Sequence, residues 1–144
     1  MQVLRINPTD TLPIRKQMLR ADFPEAECVF EGDDDDLTFH LGGFKDNKLV
    51  SVASFYLVRH PEFEEETQYQ LRGMATLPEF QSAGFSSALL KTAFPIIKQN
   101  QGDILWCNAR TSAQGFYEKI GFECHSDVFE IETVGPHVLM AYSF

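Results

Sequence analysis

Basic residues are scarce in this chain. Twelve Lys and Arg stand against 21 Asp and Glu, a formal net charge of -9 over 144 residues. No Lys/Arg-rich run occurs, so a polyanion such as DNA is repelled on average and nucleic-acid binding is disfavoured. Cysteine is sparse as well. Cys28, Cys107 and Cys124 are odd in number and lack metal-type spacing, which predicts reduced thiols in a cytoplasmic protein rather than a disulfide frame. The four histidines, His40, His60, His125 and His137, are scattered without paired ligand spacing, and no metal site is expected. Long apolar runs are missing too: Met1-Gln2-Val3-Leu4-Arg5 does not open a signal peptide, and no stretch approaches a membrane span. What remains is ordinary for a globular protein, with 44% hydrophobic and 23% charged residues. A chain of this size buries enough core to stand as one domain, residues 1–144, without a staple.

Hydrophobic periodicity divides the chain into short elements. Gln2 to Ile6 reads as a strand. Thr9 or Asp10 is placed to cap a helix whose stripe is Ile14, Met18 and Leu19, ending near Arg20. Residues 21–36 read as a loop, with Asp33 to Asp36 a solvated acidic run. Residues 37–44 and 49–58 form a hairpin around Lys45-Asp46-Asn47-Lys48, and Gln68 to Thr76 is a further strand. A turn at Gln81 to Gly84 opens a helix carrying Leu89, Leu90, Ala93 and Ile97, which Pro95 is expected to kink or break. Ile104 to Asn108 is a short apolar strand. Ser112 is placed to cap the next helix, which Gly121 closes. Strands over 128–131 and 138–142 finish the chain, separated by the rigid turn Val134-Gly135-Pro136. This order implies an α/β (α+β) fold with a central mixed sheet flanked by helices.

Chemistry enters at Gln81-Ser82-Ala83-Gly84-Phe85-Ser86-Ser87, between a strand and a helix. Small residues there let several backbone N–H groups converge beside a helix N-terminus, an anion site suited to a pyrophosphate. The P-loop ending and the dinucleotide glycine pattern are both missing. By itself the turn reads equally well as an ordinary capped helix.

The turn follows Leu71-Arg72-Gly73-Met74-Ala75-Thr76 and precedes Phe116-Tyr117-Glu118-Lys119-Ile120-Gly121-Phe122. In that combination the chain resembles the GNAT acetyltransferase superfamily, with a strand, a Gln/Arg-x-x-Gly-x-Gly/Ala turn gripping CoA pyrophosphate, a second strand, and a helix with Phe-Tyr-x-x-x-Gly-Phe. Ser86 stands where the family usually has Gly or Ala. Thr38 to Gly43, Met18-Leu19-Arg20, Gln70 to Thr76, Leu105 to Arg110 and Gly135 to Met140 narrow the likeness. They resemble glyphosate N-acetyltransferase and its bacterial relatives. The resemblance implies an acetyl-CoA cosubstrate, no metal, and a small anionic amine as acceptor. It implies a mostly antiparallel sheet splayed between two parallel strands, with acetyl-CoA along Met74, Ala75 and Thr76 and its pyrophosphate at Gln81, Ser82, Ala83, Gly84, Phe85, Ser86 and Ser87. Asn108 joins this cofactor-binding set from the next strand. Arg20, Arg72, Arg110 and His137 then surround the acceptor, with His137 as general base and Tyr117 as general acid.

Each role competes with a plainer one. Arg20 suits a helix C-terminus through the macrodipole, and Tyr117 suits a core beside Phe116 and Phe122. A lone His137 is by default a core histidine, although an unperturbed imidazole titrates near ~6.5 and can accept a proton. Arg72 in a strand needs a partner, and converging guanidinium groups need an anion between them. Cys107 reads as a small hydrophobe rather than an acetyl carrier. Two rival functions are an idle acyl-CoA sensor and an acetyltransferase of protein N-termini or lysines. Oligomeric state is not legible.

Overall fold

A computed structural model describes residues 1–144. Eight strands form a single sheet in the order β1-β2-β3-β4-β5-β8-β6, with β7 also on β8. They are β1 (Gln2–Ile6), β2 (Phe39–Lys45), β3 (Lys48–Leu57), β4 (Gln68–Thr76), β5 (Ile104–Arg110), β6 (Glu123–Cys124), β7 (Phe129–Ile131) and β8 (Gly135–Ser143). Three helices accompany them: α1 (Leu12–Leu19), α2 (Phe85–Gln99) and α3 (Gln114–Ile120). No helix is long and apolar enough to cross a membrane. All pairings are antiparallel except β4 with β5, as the mixed, mostly antiparallel sheet requires. The largest core cluster joins Leu89, Leu90, Ala93 and Ile97 of α2 to Phe39, Leu41, Phe55 and Leu71 of the sheet, so the 3.6-residue stripe of α2 is spent on the strands below it.

Two features of β4 position everything that follows. First, its parallel ladder with β5 is short, pairing Gln68, Tyr69 and Gln70 with Ile104, Leu105 and Trp106. Beyond Gln70 and Trp106 the strands part, each keeping its antiparallel partner on the other side. Second, β4 bulges. Arg72 pairs with Ser54 and Ala75 with Val52, so Gly73 and Met74 together oppose Ala53. Gly73 adopts φ +62°, a conformation open to glycine at little cost.

Four sequence expectations need correction. Helix α2 runs unbroken through Pro95. Pro95 and Lys91 are both exposed, so the Lys91 carbonyl that loses its donor can bond water. Ser112 makes no cap hydrogen bond; it lies in a 3-10 turn, Thr111–Ala113, that leads into α3. The last strand begins at Gly135 rather than after Pro136, with Pro136 paired to Glu130, and the turn sits one step earlier at Thr133, where φ is +65°. Helix α1 is preceded by a 3-10 turn, Pro8–Thr11, where the Asp10 carboxylate accepts the Asn7 N–H at 2.9 Å.

The acidic run also departs from expectation. Asp34, Asp35 and Asp36 are exposed, but Asp33 is buried. Its carboxylate takes two bonds from the fully buried Arg15, at 2.7 and 3.0 Å. It also accepts the Tyr56 O–H at 2.6 Å and the Phe30 N–H at 2.9 Å. Arg15 further donates to Cys28 O and Ser54 Oγ, and the Ser54 hydroxyl meets His40 Nδ1 at 2.6 Å. Because His40 Nε2 faces the Asp33 carbonyl at 3.0 Å, Nε2 carries the proton and Nδ1 accepts from Ser54. Burial works to raise the Asp33 carboxyl, but the bonds from Arg15, Tyr56 and the Phe30 amide outweigh it and hold it below the ordinary range.

This pair joins α1 and the acidic loop to β3, and its removal should be costly from one side. Asp33→Asn leaves Arg15 buried without its counter-charge, and urea unfolding at neutral pH should show a loss of about 3–5 kcal/mol. A depressed folded pKa means the stabilisation is complete above the unfolded value of ~3.9 and is lost as pH falls through the folded one. The gap between wild type and Asp33→Asn should therefore close below about pH 4. A gap that is constant down to pH 2 would assign the loss to packing instead.

Candidate active site

Where β4 and β5 part, a cleft of about 730 Å³ opens. Its walls are the cleft-facing edges of the two strands, from Leu71 to Thr76 and from Cys107 to Arg110, and its far end is the turn that begins α2. Open α/β sheets commonly present binding crevices at the carboxyl ends of parallel strands, and this one does so.

At that turn Ser82 has φ +61° and Gly84, the residue capping α2, has φ +90°. A Cβ on Gly84 would meet only Met1 Cε, at 3.9 Å, so glycine serves the backbone conformation there, not a tight fit. The first helical bond runs from Ala88 N–H to Gly84 O, and no protein acceptor takes the N–H groups of Ser82 to Ser87. Several free donors at the N-terminus of a fifteen-residue helix make a site for phosphate oxygens. The Gln81 amide ties the turn to the end of β4 by donating to Thr76 O at 3.1 Å.

The opposite end of the cleft holds the titratable groups. Arg110 and His137 are direct partners across β5 and β8, so their side chains leave the same face of the sheet. Arg72 comes from β4 across the gap. His137 Nδ1 lies 2.7 Å from Gly135 O; a carbonyl only accepts, so Nδ1 carries a proton, and in the neutral ring the lone pair is the one on Nε2. Phe129 stacks on the imidazole with centroids 6.2 Å apart. Neither Arg72 nor Arg110 has a carboxylate within ion-pair distance; Arg15 with Asp33 is the sole Arg–carboxylate pair in the chain.

Tyr117 and Cys107 also line the cleft, side by side in the main core cluster. Burial, and then the adjoining Cys107 thiol, push the Tyr117 phenol well above its usual pKa, so it is fully protonated at neutral pH. Burial also pushes the Cys107 thiol up to about 12. A thiol so weakly acidic has almost no thiolate near pH 7, so it is a poor nucleophile and remains a core residue.

All the residues expected at the site line this cleft except Arg20 and Ala83. Ala83 is exposed within the turn. Arg20 follows Leu19, which does line the cleft, and its guanidinium lies over the rings of Phe23 and Phe30 at 5.3 and 5.1 Å. Sequence reasoning missed other contributors, among them Met18, Phe80 and Val134. It also passed over Gly73, for which a glycine inside a strand was the available signal of a bulge.

Comparison with known proteins places the chain in a family and a fold. Residues 7–122 match the Acetyltransferase (GNAT) family. The uncharacterized N-acetyltransferase YitI of Bacillus subtilis (strain 168) is 35% identical over 140 residues, spanning 97% of this chain and 94% of that protein. Among solved structures, an aminoglycoside 6'-N-acetyltransferase complexed with coenzyme A superposes with a TM-score of 0.78 at 12% identity, over 99% of this chain and 97% of that one. The ribosomal-protein-S18-alanine N-acetyltransferase from Escherichia coli gives 0.75 at 18% identity, over 99% and 92%. At such identities the structural likeness is one of fold.

Thiol accessibility offers a direct check on the cleft. Cys124 is exposed, whereas Cys28 and Cys107 are buried. Iodoacetamide on the folded protein at pH 8 should label Cys124 alone, as read by peptide mass spectrometry. Labelling of Cys107 at a comparable rate would mean that its thiol is neither buried nor raised, and would restore it as a nucleophile.

Proposed function

The chain belongs to the Acetyltransferase (GNAT) family and is an acyltransferase enzyme, and we propose that it moves an acetyl group from acetyl-CoA to the amine of a small anionic acceptor. An amino acid, an aminophosphonate or a glyphosate-like molecule fits that description. The observation that carries this reading is the pair of arginines, Arg72 and Arg110, beside His137 in one cleft with no carboxylate partner. In a chain with 21 acidic residues against 12 basic ones, acids to neutralise them are plentiful. Two guanidinium groups left to face a cavity suit bidentate binding of a carboxylate or phosphonate. The narrower likeness to glyphosate N-acetyltransferase rests on the sequence motifs alone.

The donor half of the cleft fits CoA on its own terms. The unpaired N–H groups from Ser82 to Ser87 match a pyrophosphate, and the cleft-facing edge of Met74, Ala75 and Thr76 offers backbone donors and acceptors to amides of the pantetheine arm. Asn108 adds a polar side chain from β5. When bound, acetyl-CoA supplies an acetyl carbon activated as a thioester and a sulfur able to leave with the bonding pair.

The protein's own groups then do three things. Arg72 and Arg110, with Arg20 at the rim, hold the acceptor's anionic end and orient its amine. His137 takes a proton from that amine at Nε2, since Nδ1–H is committed to Gly135 O. Tyr117, kept protonated by burial, donates from its O–H to the departing sulfur. Attack is direct, because Cys107 is too weakly acidic to carry the acetyl group.

Acetylation of an acidic amine and of its amide by the wild-type enzyme is the deciding comparison. The acid should be preferred, and Arg110→Ala should raise its KM about ten- to a hundredfold, the worth of a charged hydrogen bond, while changing the amide little. Equal use of acid and amide, kept in the variant, would make the arginines structural. His137→Ala should slow turnover by roughly 10²- to 10⁴-fold with CoA affinity intact. A variant within a few-fold of wild type would return His137 to packing.

A further inference from the structure

Phe30 is a buried residue of the 21–36 segment, 7% exposed, and does not line the cleft. Three guanidinium groups nonetheless gather around its ring. Arg15 lies 4.0 Å from the ring centroid, Arg72 4.7 Å and Arg20 5.1 Å. Arg15 alone among them is neutralised, by Asp33. The same Asp33 carboxylate accepts the Phe30 backbone N–H, so one acid fixes both the ring's backbone and the first cation against it. The bulge in β4 supplies the seat. A Cβ on Gly73 would lie 2.9 Å from Phe30 Cε2 and 3.5 Å from Arg15 Nε, so only a residue without a side chain lets the ring in beside Arg72.

Two like charges brought toward one anion-binding pocket repel each other while the pocket is empty of anion. The face of an aromatic ring attracts cations through its quadrupole and can hold them without neutralising them, which a carboxylate would do. We infer that Phe30 is a positioning residue: an aromatic platform, seated by the Gly73 bulge and fixed by Asp33, that holds Arg72 at the acceptor end of the cleft and Arg20 beside it while leaving their charge available. The inference rests on the anionic-acceptor reading above and adds to it a residue that never touches the acceptor.

Its test separates π attraction from packing. Phe30→Leu removes the ring, and pentafluorophenylalanine at position 30 keeps the volume while reversing the quadrupole, so a folding defect in the first leaves the second informative. Either change should raise the KM for the acidic amine roughly three- to thirtyfold, the range of a cation–π contact, and leave the amide's KM and the CoA Kd unchanged. Phe30→Tyr should restore the wild-type value. In ¹⁵N-edited NMR of the free enzyme, the Arg72 and Arg20 Nε–H signals should show ring-current shifts that shrink in Phe30→Leu, leaving only the contributions of Tyr56 to Arg72 and of Phe23 to Arg20. Equal KM changes for acid and amide, or arginine signals indifferent to the ring, would overturn the platform. A wild-type enzyme that treats acid and amide alike would sink the anionic-acceptor reading. The arginine signals would then decide the platform alone, supporting it if the shifts shrink in Phe30→Leu, and overturning it if they are unchanged.

Discussion

The cleft exists because two parallel strands stop pairing. The β4–β5 ladder ends at Gln70 and Trp106, yet both strands continue for several residues with one edge unpaired. A sheet does not leave backbone donors and acceptors unpaired in its middle unless water or a ligand can take them. The parting therefore creates a slot in the centre of the sheet, with unpaired strand backbone along its edges. The strands on either side remain tied to β3 and β8, so the slot is held open by a rigid frame.

Loss of pairing also decides which chemistry goes where. At one end the slot meets the start of α2, where helix geometry leaves N–H groups free of any acceptor. At the other it meets the cross-strand neighbours Arg110 and His137. Within the cleft, burial sorts the protons of the side chains. It keeps Tyr117 protonated and Cys107 inert, whereas His137 has its tautomer set by a backbone carbonyl. One structural event thus gathers free backbone N–H groups, a buried phenol, an imidazole and two guanidinium groups around a single cleft.

A second layer lies behind the first. The bulge at Gly73, the ring of Phe30 and the Arg15–Asp33 pair interlock, since the glycine makes room for the ring and the carboxylate holds both the ring's backbone and Arg15. A buried ion pair seldom adds net stability over an apolar replacement. Here it joins α1, the acidic loop and β3, and its Arg15 shares the Phe30 ring with Arg72.

Local pattern determined a good deal. Alternation in Gln68 to Thr76, the apolar stripe of Leu89, Leu90, Ala93 and Ile97, and the small residues from Ser82 to Ser87 sufficed for the strand, the helix and the turn between them. They suffice because strand period, helix period and turn chemistry depend on neighbours a few residues away. The motif residues Arg72, Arg110, Tyr117 and His137 were likewise legible, and they line one cleft. Only the tertiary structure decided the rest. Asp33 looked like one of four solvated acids, yet its partners Arg15 and Tyr56 lie 18 and 23 residues away. Phe30 carries no signal of its own, because its meaning comes from Arg72 on another element. Pro95 looked like a kink or a break, and the break did not occur, since its exposed position in α2 let the helix continue. Burial and long-range pairing are properties of the assembled sheet, and no window of sequence contains them.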